Sequence, residues 1–483
     1  MLSVEEIKRL IDDDKVSKKK QYARVGQQYY EAKHDILNYK LFYFNADGNL
    51  VEDKTRSNIK ISHPFFTELS DQLTSYLLSF KENPIQAQDN AEGLQDYLDE
   101  YFDEDFWYEI DELVTGTYNK GFEYLYAFKN EDERLCFQCA DSLGVVEVRK
   151  EDTDDKCEYI IYWYVDRVDK DGEKIIKVQV WNEKETYYFI QDNETGEIVK
   201  DKTFELNPRP HVVYTDEKTG EKMGYQLGYI PFWRLDNNKK QFSGLRPVKE
   251  LIDDYDLHAC SLSNNLKDFD TPLHIVKGYN GDNLDELQTN LKTKKIVGVD
   301  EAGGIDIKTV DIPYQARVSK LELDEKNIYR FACGLNTFGL KDTSATTNIA
   351  IKAAYSLLEL KANKMETRLK SLLKKLLKVV LAEINEKHGT DFQMSQISFN
   401  FTRSIMTNET ENIANEKTKA EIKQIEVNTI LNVAANIGDE ETLKAICEVL
   451  DLDFKELKGQ VEKIQEEKNL HEAQNALNAV VVE

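Results

Sequence analysis

The sequence predicts an α+β chain, mostly helical, with more than one core. Three observations carry this. The chain has 483 residues, and single hydrophobic cores stop growing at about 250–300 residues. Only 8 of those residues are proline, which leaves room for long uninterrupted helices. Between Phe122 and Leu206 the texture switches from helical spacing to short alternating β-branched and aromatic runs, and afterwards it switches back.

Residues 3–40 read as one helix opened by a Ser3/Glu6 capping box. A turn-rich stretch with Asn45, Asp47 and Gly48 follows. A second helix is expected from about Pro64 to Phe80, where Phe65, Leu69, Leu73, Tyr76 and Leu77 share a face. A third, from Leu94 to Lys120, is rich in acids and aromatics. The runs Tyr124–Phe128, Val145–Val148, Tyr159–Val165, Ile175–Trp181 and Thr186–Ile190 then alternate like half-buried strands. Turn formers such as Asp171-Gly172 separate them, which predicts an antiparallel meander.

After Pro231 helical spacing returns. From Pro247 to Phe269, Val248, Leu251, Ile252, Tyr255, Ala259, Leu262 and Leu266 mark one helix, closed before Pro272. A small α/β unit is expected next: strand Leu273–Val276, helix Asp282–Leu291, strand Ile296–Val299 and strand Ile305–Val310. Pro313 introduces a helix over Tyr314 to Cys333. The run 334–347, GLNTFGLKDTSATT, holds two glycines and five Ser/Thr residues and reads as a loop between helices. A long helix then runs from Asn348 to Lys387. Its apolar face holds Leu358, Met365, Leu369, Leu372, Leu373, Leu376, Leu377 and Val380. Its opposite face holds Lys361, Lys364, Arg368, Lys370, Lys374, Lys375 and Lys378, which reads as a solvated helix surface or as a contact with phosphate or an acidic neighbour, and in so acidic a chain the acidic surface of another subunit is favoured. From Asn408 onward the chain reads as charged helix.

The formal net charge is −26. A domain that grips DNA carries a basic balance, so this composition argues against static DNA binding. A protein through which DNA slides is compatible with it, because each phosphate contact adds hold. The six cysteines include one CxxC, Cys136 and Cys139, in a strand-like run with no second pair at zinc spacing. Two buried thiols are the expectation there, and no disulfide framework is expected. The N-terminal residues lack an apolar secretory core, and no stretch has the length of a membrane span. There is no GxxxxGK[ST] loop, no HExxH and no GxSxG. The seven histidines are scattered, and acidic pairs such as Asp253-Asp254 and Asp154-Asp155 read as charged surface. The reading is therefore not an enzyme, with no catalytic residues, metal or cofactor.

The segment 228–269, GYIPFWRLDNNKKQFSGLRPVKELIDDYDLHACSLSNNLKDF, resembles the portal proteins of long-tailed phages of Gram-positive bacteria. The matching positions are Gly228, Ile230, Pro231, Asn238, Ser243, Val248, Leu251, Ile252, Asp253, Tyr255, Ser263 and Asn264. The runs HPFFTELSDQLTSYLLS, LHIVKGYNG, IYRFACGL and LLELKANKMETRLKSLL continue it. Gly244 departs, standing where the family often has an acid, and Trp233-Arg234 makes the turn after Pro231 bulkier than the family pattern.

The resemblance implies a portal fold with β-rich wing, helical stem, small α/β clip and helical C-terminal crown. The expected boundaries are 1–121 for a helical wing region, 122–246 for the β-rich wing, 247–271 for the first stem helix and 272–312 for the clip. Residues 313–333 would be the second stem helix, 334–347 the tunnel loop, 348–404 the long wing helix with its following strand, and 405–483 the crown. Asn336, Thr337, Phe338, Gly339, Leu340, Lys341, Asp342, Thr343 and Ser344 would form the loop facing the DNA channel. Leu251, Ile252, Asp253, Tyr255, Asn264 and Ile328 would belong to the stem, and Lys277, Tyr279, Lys292, Lys294 and Lys295 to the clip.

The implied protein is a homo-oligomeric ring of about twelve subunits at one capsid vertex of the virion, assembled in the host bacterial cytoplasm. Double-stranded DNA would pass through it during packaging and ejection. The terminase large subunit, a head-tail adaptor, scaffold and major capsid proteins would be its partners, with no membrane. Another head-tail ring protein and, more distantly, a metal-dependent nuclease are the competing readings.

Overall fold

A computed structural model describes residues 1–450 apart from 55, 89–90, 131–133, 151–155, 169–173, 193–194, 216–221, 270–272, 278–303, 309–312, 337–347 and 404–408. Beyond 450 it describes 454, 458 and 459. The chain divides into two units, one of Met1–Phe338 with Ala354–Ser404 and one of Gly339–Ala353 with Ile405–Glu483.

The capping box is present, but the helix it opens is short. α1 spans Val4–Lys15 and α2 spans Lys18–Tyr30, so residues 3–40 are not one helix. Ser17 breaks them, because its hydroxyl accepts from Lys20 N and caps α2. Asp35–Asn38 form only a 3₁₀ turn. A two-stranded hairpin, β1 (Phe42–Phe44) and β2 (Leu50–Glu52), follows. α3 covers Phe65–Leu77, and β3 is Ile85–Ala87. The expected third helix is also two, α4 (Leu94–Tyr101) and α5 (Glu104–Lys120). There Asp103 caps α5 by accepting from Phe106 N at 3.0 Å.

The strands fall into separate sheets. β6 (Val145–Arg149), β7 (Cys157–Val168), β8 (Lys174–Trp181), β9 (Glu185–Gln191) and β10 (Ile198–Lys200) form the antiparallel meander, with β11 (Arg209–Pro210) on β9. β4 (Phe122–Lys129) is not part of it. It pairs with β5 (Leu135–Ala140) and with β14 (Phe232–Asp236). Trp233 and Arg234 are therefore strand residues rather than turn residues, opposite Leu125 and Tyr124. β12 (Val212–Thr215) and β13 (Lys222–Tyr225) make a further hairpin. One core packs Ile7 and Ile11 of α1 onto Val146, Ile161, Val178, Val180 and Phe189 of the meander. A second joins Ala23, Phe122, Tyr124, Ile160, Trp181 and Phe232.

α6 covers Lys249–Phe269. β15 (Leu273–Lys277) and β16 (Gly304–Lys308) pair antiparallel beyond it, and α7 (Tyr314–Ala332) returns to pack on α6. α8 runs over 41 residues, Asn348–His388. All eight residues expected on its apolar face are buried, from Leu358 to Val380. Each buried leucine contributes about 1.5–3 kcal/mol relative to exposure, which holds so long a helix to the body. β17 (Ile397–Phe399) then pairs with β3, joining positions more than three hundred residues apart. The second unit contains α9 (Glu409–Ile437) and α10 (Asp439–Leu450), separated by Gly438 at φ 90°. Among the described residues, no helix is long and apolar enough to cross a membrane.

Candidate functional site

The residues of the 228–269 segment meet the N-terminal third of the chain along α6. Only Ile252, Asp256 and Cys260 of this helix are fully buried. The apolar positions Leu251, Tyr255, Ala259 and Leu262 are half-buried, and Leu266 is 50% exposed. Most of the expected apolar stripe is thus incompletely covered within one chain.

The buried stripe is organised around polar acceptors. Asp256 Oδ1 accepts from His63 N at 3.0 Å, Cys260 Sγ from Ile61 N at 3.2 Å, and Asn264 Oδ1 from Ile59 N at 2.6 Å. Asp268 accepts from Ser57 N at 3.2 Å. Acceptors four residues apart on a helix lie on one face, while alternate N–H groups of an extended segment point the same way. Residues 57–63 are therefore laced along α6, and their backbone donors are satisfied without a sheet.

Asp256 carries the heaviest load. It is wholly buried and also accepts from His34 Nδ1 at 2.6 Å and His63 Nδ1 at 2.7 Å. Burial opposes its ionisation, but the His34 and His63 hydrogen bonds outweigh that and hold its carboxyl below the usual range. Histidines scattered in sequence thus converge on one carboxylate. The signal that could have found the anchors is the four-residue spacing of Asp256, Cys260, Asn264 and Asp268.

The pair Asp253-Asp254 is not mere charged surface. Asp253 accepts from the Tyr29 hydroxyl and from Lys249 Nζ at 2.7 Å, tying α6 to α2. Asp254 pairs with Lys320 of α7. Tyr255 stands edge-on to His63 and Phe65, with ring centroids 5.0 and 4.8 Å away. Ile328 of α7 is buried. With Asn264 laced to Ile59, the residues expected in the stem gather on α6 and α7, at different depths.

α7 ends at Cys333, which adopts a left-handed conformation at φ 55°. Three contacts pin this terminus and the residues that follow. Gln72 pairs reciprocally with Leu335, donating to its carbonyl and accepting from its N–H, both at 2.9 Å. A side chain at Gly334 would lie 2.2 Å from Leu69. Lys361 Nζ donates to Ala332 O at 2.8 Å and meets the Tyr118 hydroxyl at 2.7 Å. Lys361 therefore turns its amine inward and departs from the exposed basic face expected for α8. Burial pushes that amine down to about 7. Asn336 Nδ2 donates to Glu325 at 3.2 Å. Thr337, Phe338, Gly339, Leu340, Lys341, Asp342, Thr343 and Ser344 lie outside the described residues.

Gly244 has a clear physical role. A Cβ there would sit 2.0 Å from the Tyr118 ring. Tyr118 fills the space that an acidic side chain would need, and its hydroxyl serves Lys361.

Lys277 ends β15 opposite Gly304. Tyr279, Lys292, Lys294 and Lys295 lie outside the described residues, as do the expected helix 282–291 and strand 296–299. Cys136 and Cys139 are half-buried rather than buried, because β5 shows alternate faces and neither is sealed. Among the described residues no group of His, Cys, Asp and Glu could hold a metal. Asp154 and Asp155 lie outside them.

A family model described as phage portal protein, SPP1 Gp6-like, matches residues 8–472. The portal protein of Bacillus phage SPP1 is 27% identical over 388 residues, which cover 80% of this chain and 75% of that protein. The portal protein of Clostridium phage phiCD119, from a Clostridium difficile strain, is 23% identical over 430 residues, covering 85% of this chain and 88% of that protein. A match that runs through α1 to α10, and so through the laced helix and its return, places the chain in the SPP1 Gp6-like family of phage portal proteins.

Proposed function

We propose that this chain is the subunit of a closed ring, of about twelve copies, that forms the DNA channel at one capsid vertex of the virion. Double-stranded DNA passes through it during packaging and ejection, and the ring has no catalytic role or cofactor of its own. α6 and α7 are its stem, 272–312 its clip, 334–347 its tunnel loop and 405–483 its crown. The β-rich wing is 122–246, flanked by 1–121 and by 348–404. The clip, with Lys277, Tyr279, Lys292, Lys294 and Lys295, takes the terminase large subunit during packaging and the head-tail adaptor afterwards. Scaffold and major capsid proteins surround the ring during assembly in the host cytoplasm.

The observation that carries this reading, beyond family membership, is the stripe on α6. Leu251, Tyr255 and Leu262 are half-covered and Leu266 is exposed, on a helix otherwise anchored by an unusual density of polar contacts. A closed ring covers such faces with neighbouring copies and leaves no open ends. Electron microscopy and native mass spectrometry of the purified protein test it. Rings with a central hole are expected, and a monomer persisting at high concentration with scaffold protein added would overturn it.

The pinned root of 337–347 supports the tunnel-loop role. A loop that meets moving DNA needs a fixed base, and Gln72 supplies one outside the loop itself. Gln72→Ala removes both hydrogen bonds to Leu335, worth about 1 kcal/mol each. Rings are expected to form normally, while nuclease-protected DNA per particle falls. Unchanged DNA content would remove the root from the packaging role.

A further inference from the structure

Two surfaces of the first unit carry opposite charges with no ion pair of their own among the described residues. The first lies on α8. Leu357 and Leu360 are 40% and 60% exposed, and Lys364, Lys374, Lys375 and Lys378 continue along the same side of the helix. Among the described residues these four lysines make no ion pair, whereas Lys370 beside them is paired with Glu366 at 2.6 Å. The second surface is an open groove of about 820 Å³ between α3, α6 and α7. Phe65, Tyr255 and Tyr329 supply its apolar wall, and Glu68, Asp71 and Glu325 its charge.

Asp111 and Glu112 of α5 extend this acidic surface beside Asp71, around the Tyr30 hydroxyl. Burial and the charges of Glu112 and Asp71 push the Asp111 carboxyl up, as expected where carboxylates crowd without a cation. No Lys or Arg pairs with Glu68, Asp71, Asp111 or Glu112 among the described residues.

We propose that the Leu357–Lys378 side of α8 docks into the acidic aromatic groove of a second copy of this chain. The inference rests on the ring reading above. In a ring each subunit shows its two neighbours different faces, so the contact is heterologous and needs two complementary surfaces on one chain. Leucines meet the aromatic wall, and lysines meet the carboxylates. Opposite potentials fix the register and reject wrong pairings. A phosphate backbone would use the lysines but leave the two exposed leucines without a role, and the matching acidic groove unexplained.

Charge reversal tests this directly. One variant carries Lys374→Glu, Lys375→Glu and Lys378→Glu, a second carries Asp71→Lys, Asp111→Lys and Glu112→Lys, and a third carries all six. Ring fraction is read by native mass spectrometry and electron microscopy, with thermal melts confirming folding. Either set alone is expected to lower the ring fraction at least about tenfold, because like charges then face each other. Equal mixing of the first two variants, and the six-fold variant by itself, should restore rings. Wild-type rings with unaffected single-set variants, or no rescue on mixing, would overturn the docking inference and leave the ring reading standing. So would intact rings that lose only DNA retention, which would assign the lysines to phosphate. Wild type that never leaves the monomer would sink both readings.

Discussion

Asp256→Ala is expected to destabilise the protein by about 3–5 kcal/mol, because it strips the shared acceptor from a buried, charge-assisted cluster. His34 Nδ1, His63 Nδ1 and His63 N all lose their partner at once. Burying an unpaired donor is costly, and the lacing of residues 57–63 loses its innermost stitch. The effect depends on pH in a defined direction. The folded carboxyl titrates below its ordinary value, which is about 3.9. Its contribution is therefore complete above that value and is lost as pH falls through the lower folded one. Denaturant melts of wild type and variant at neutral pH should show the full gap, and melts near pH 3 a narrower one. A gap that stays constant, or one below about 1 kcal/mol at neutral pH, would show that the cluster does not anchor α6.

The second large effect is at Lys361. Its amine sits against the Tyr118 hydroxyl and the last carbonyl of α7, with no carboxylate in contact among the described residues. Desolvation lowers it to about 7. The unfolded chain keeps its proton up to about pH 10, so wild type gains stability as pH rises from about 7 to 10. The gain over Lys361→Met across that interval is on the order of 4 kcal/mol, from about three pKa units at 1.36 kcal/mol each. The sign is opposite to that of a salt-bridged lysine, whose stabilisation disappears on deprotonation. Parallel stability curves for the two proteins would place the amine in solvent instead. The contact lies at the C-terminus of α7, where Lys361, Gln72 and Leu69 meet Ala332, Leu335 and Gly334 in turn.

The periodic elements were legible. Val248 to Leu266 marks α6, and Leu358 to Val380 marks α8, where all eight expected residues are buried and Ala362, Leu381 and Ile384 join them. The breaks were less so. No glycine or proline stands beside Ser17 or Asp103, and a cap residue is recognised only once the chain turns there. The sheet partition was not legible either, because β4 alternates like the meander strands yet pairs with β14, about a hundred residues on.

The sequence by itself determined the long helices α3, α6, α7 and α8, the β-rich stretch between α5 and α6, the acidic balance, and the family-bearing segment around Gly228 to Asn264. These follow from spacing over a few turns, which a short window contains. Only the tertiary structure decided what the polar side chains do. It brought His34 and His63 to Asp256 across 222 and 193 residues. It made Gly244 the space for a tyrosine ring, and it turned Lys361 away from solvent while leaving Lys364 and Lys375 exposed. Residues on one helix can share a pattern and differ in fate, because desolvation and pairing depend on neighbours that arrive from elsewhere in the chain.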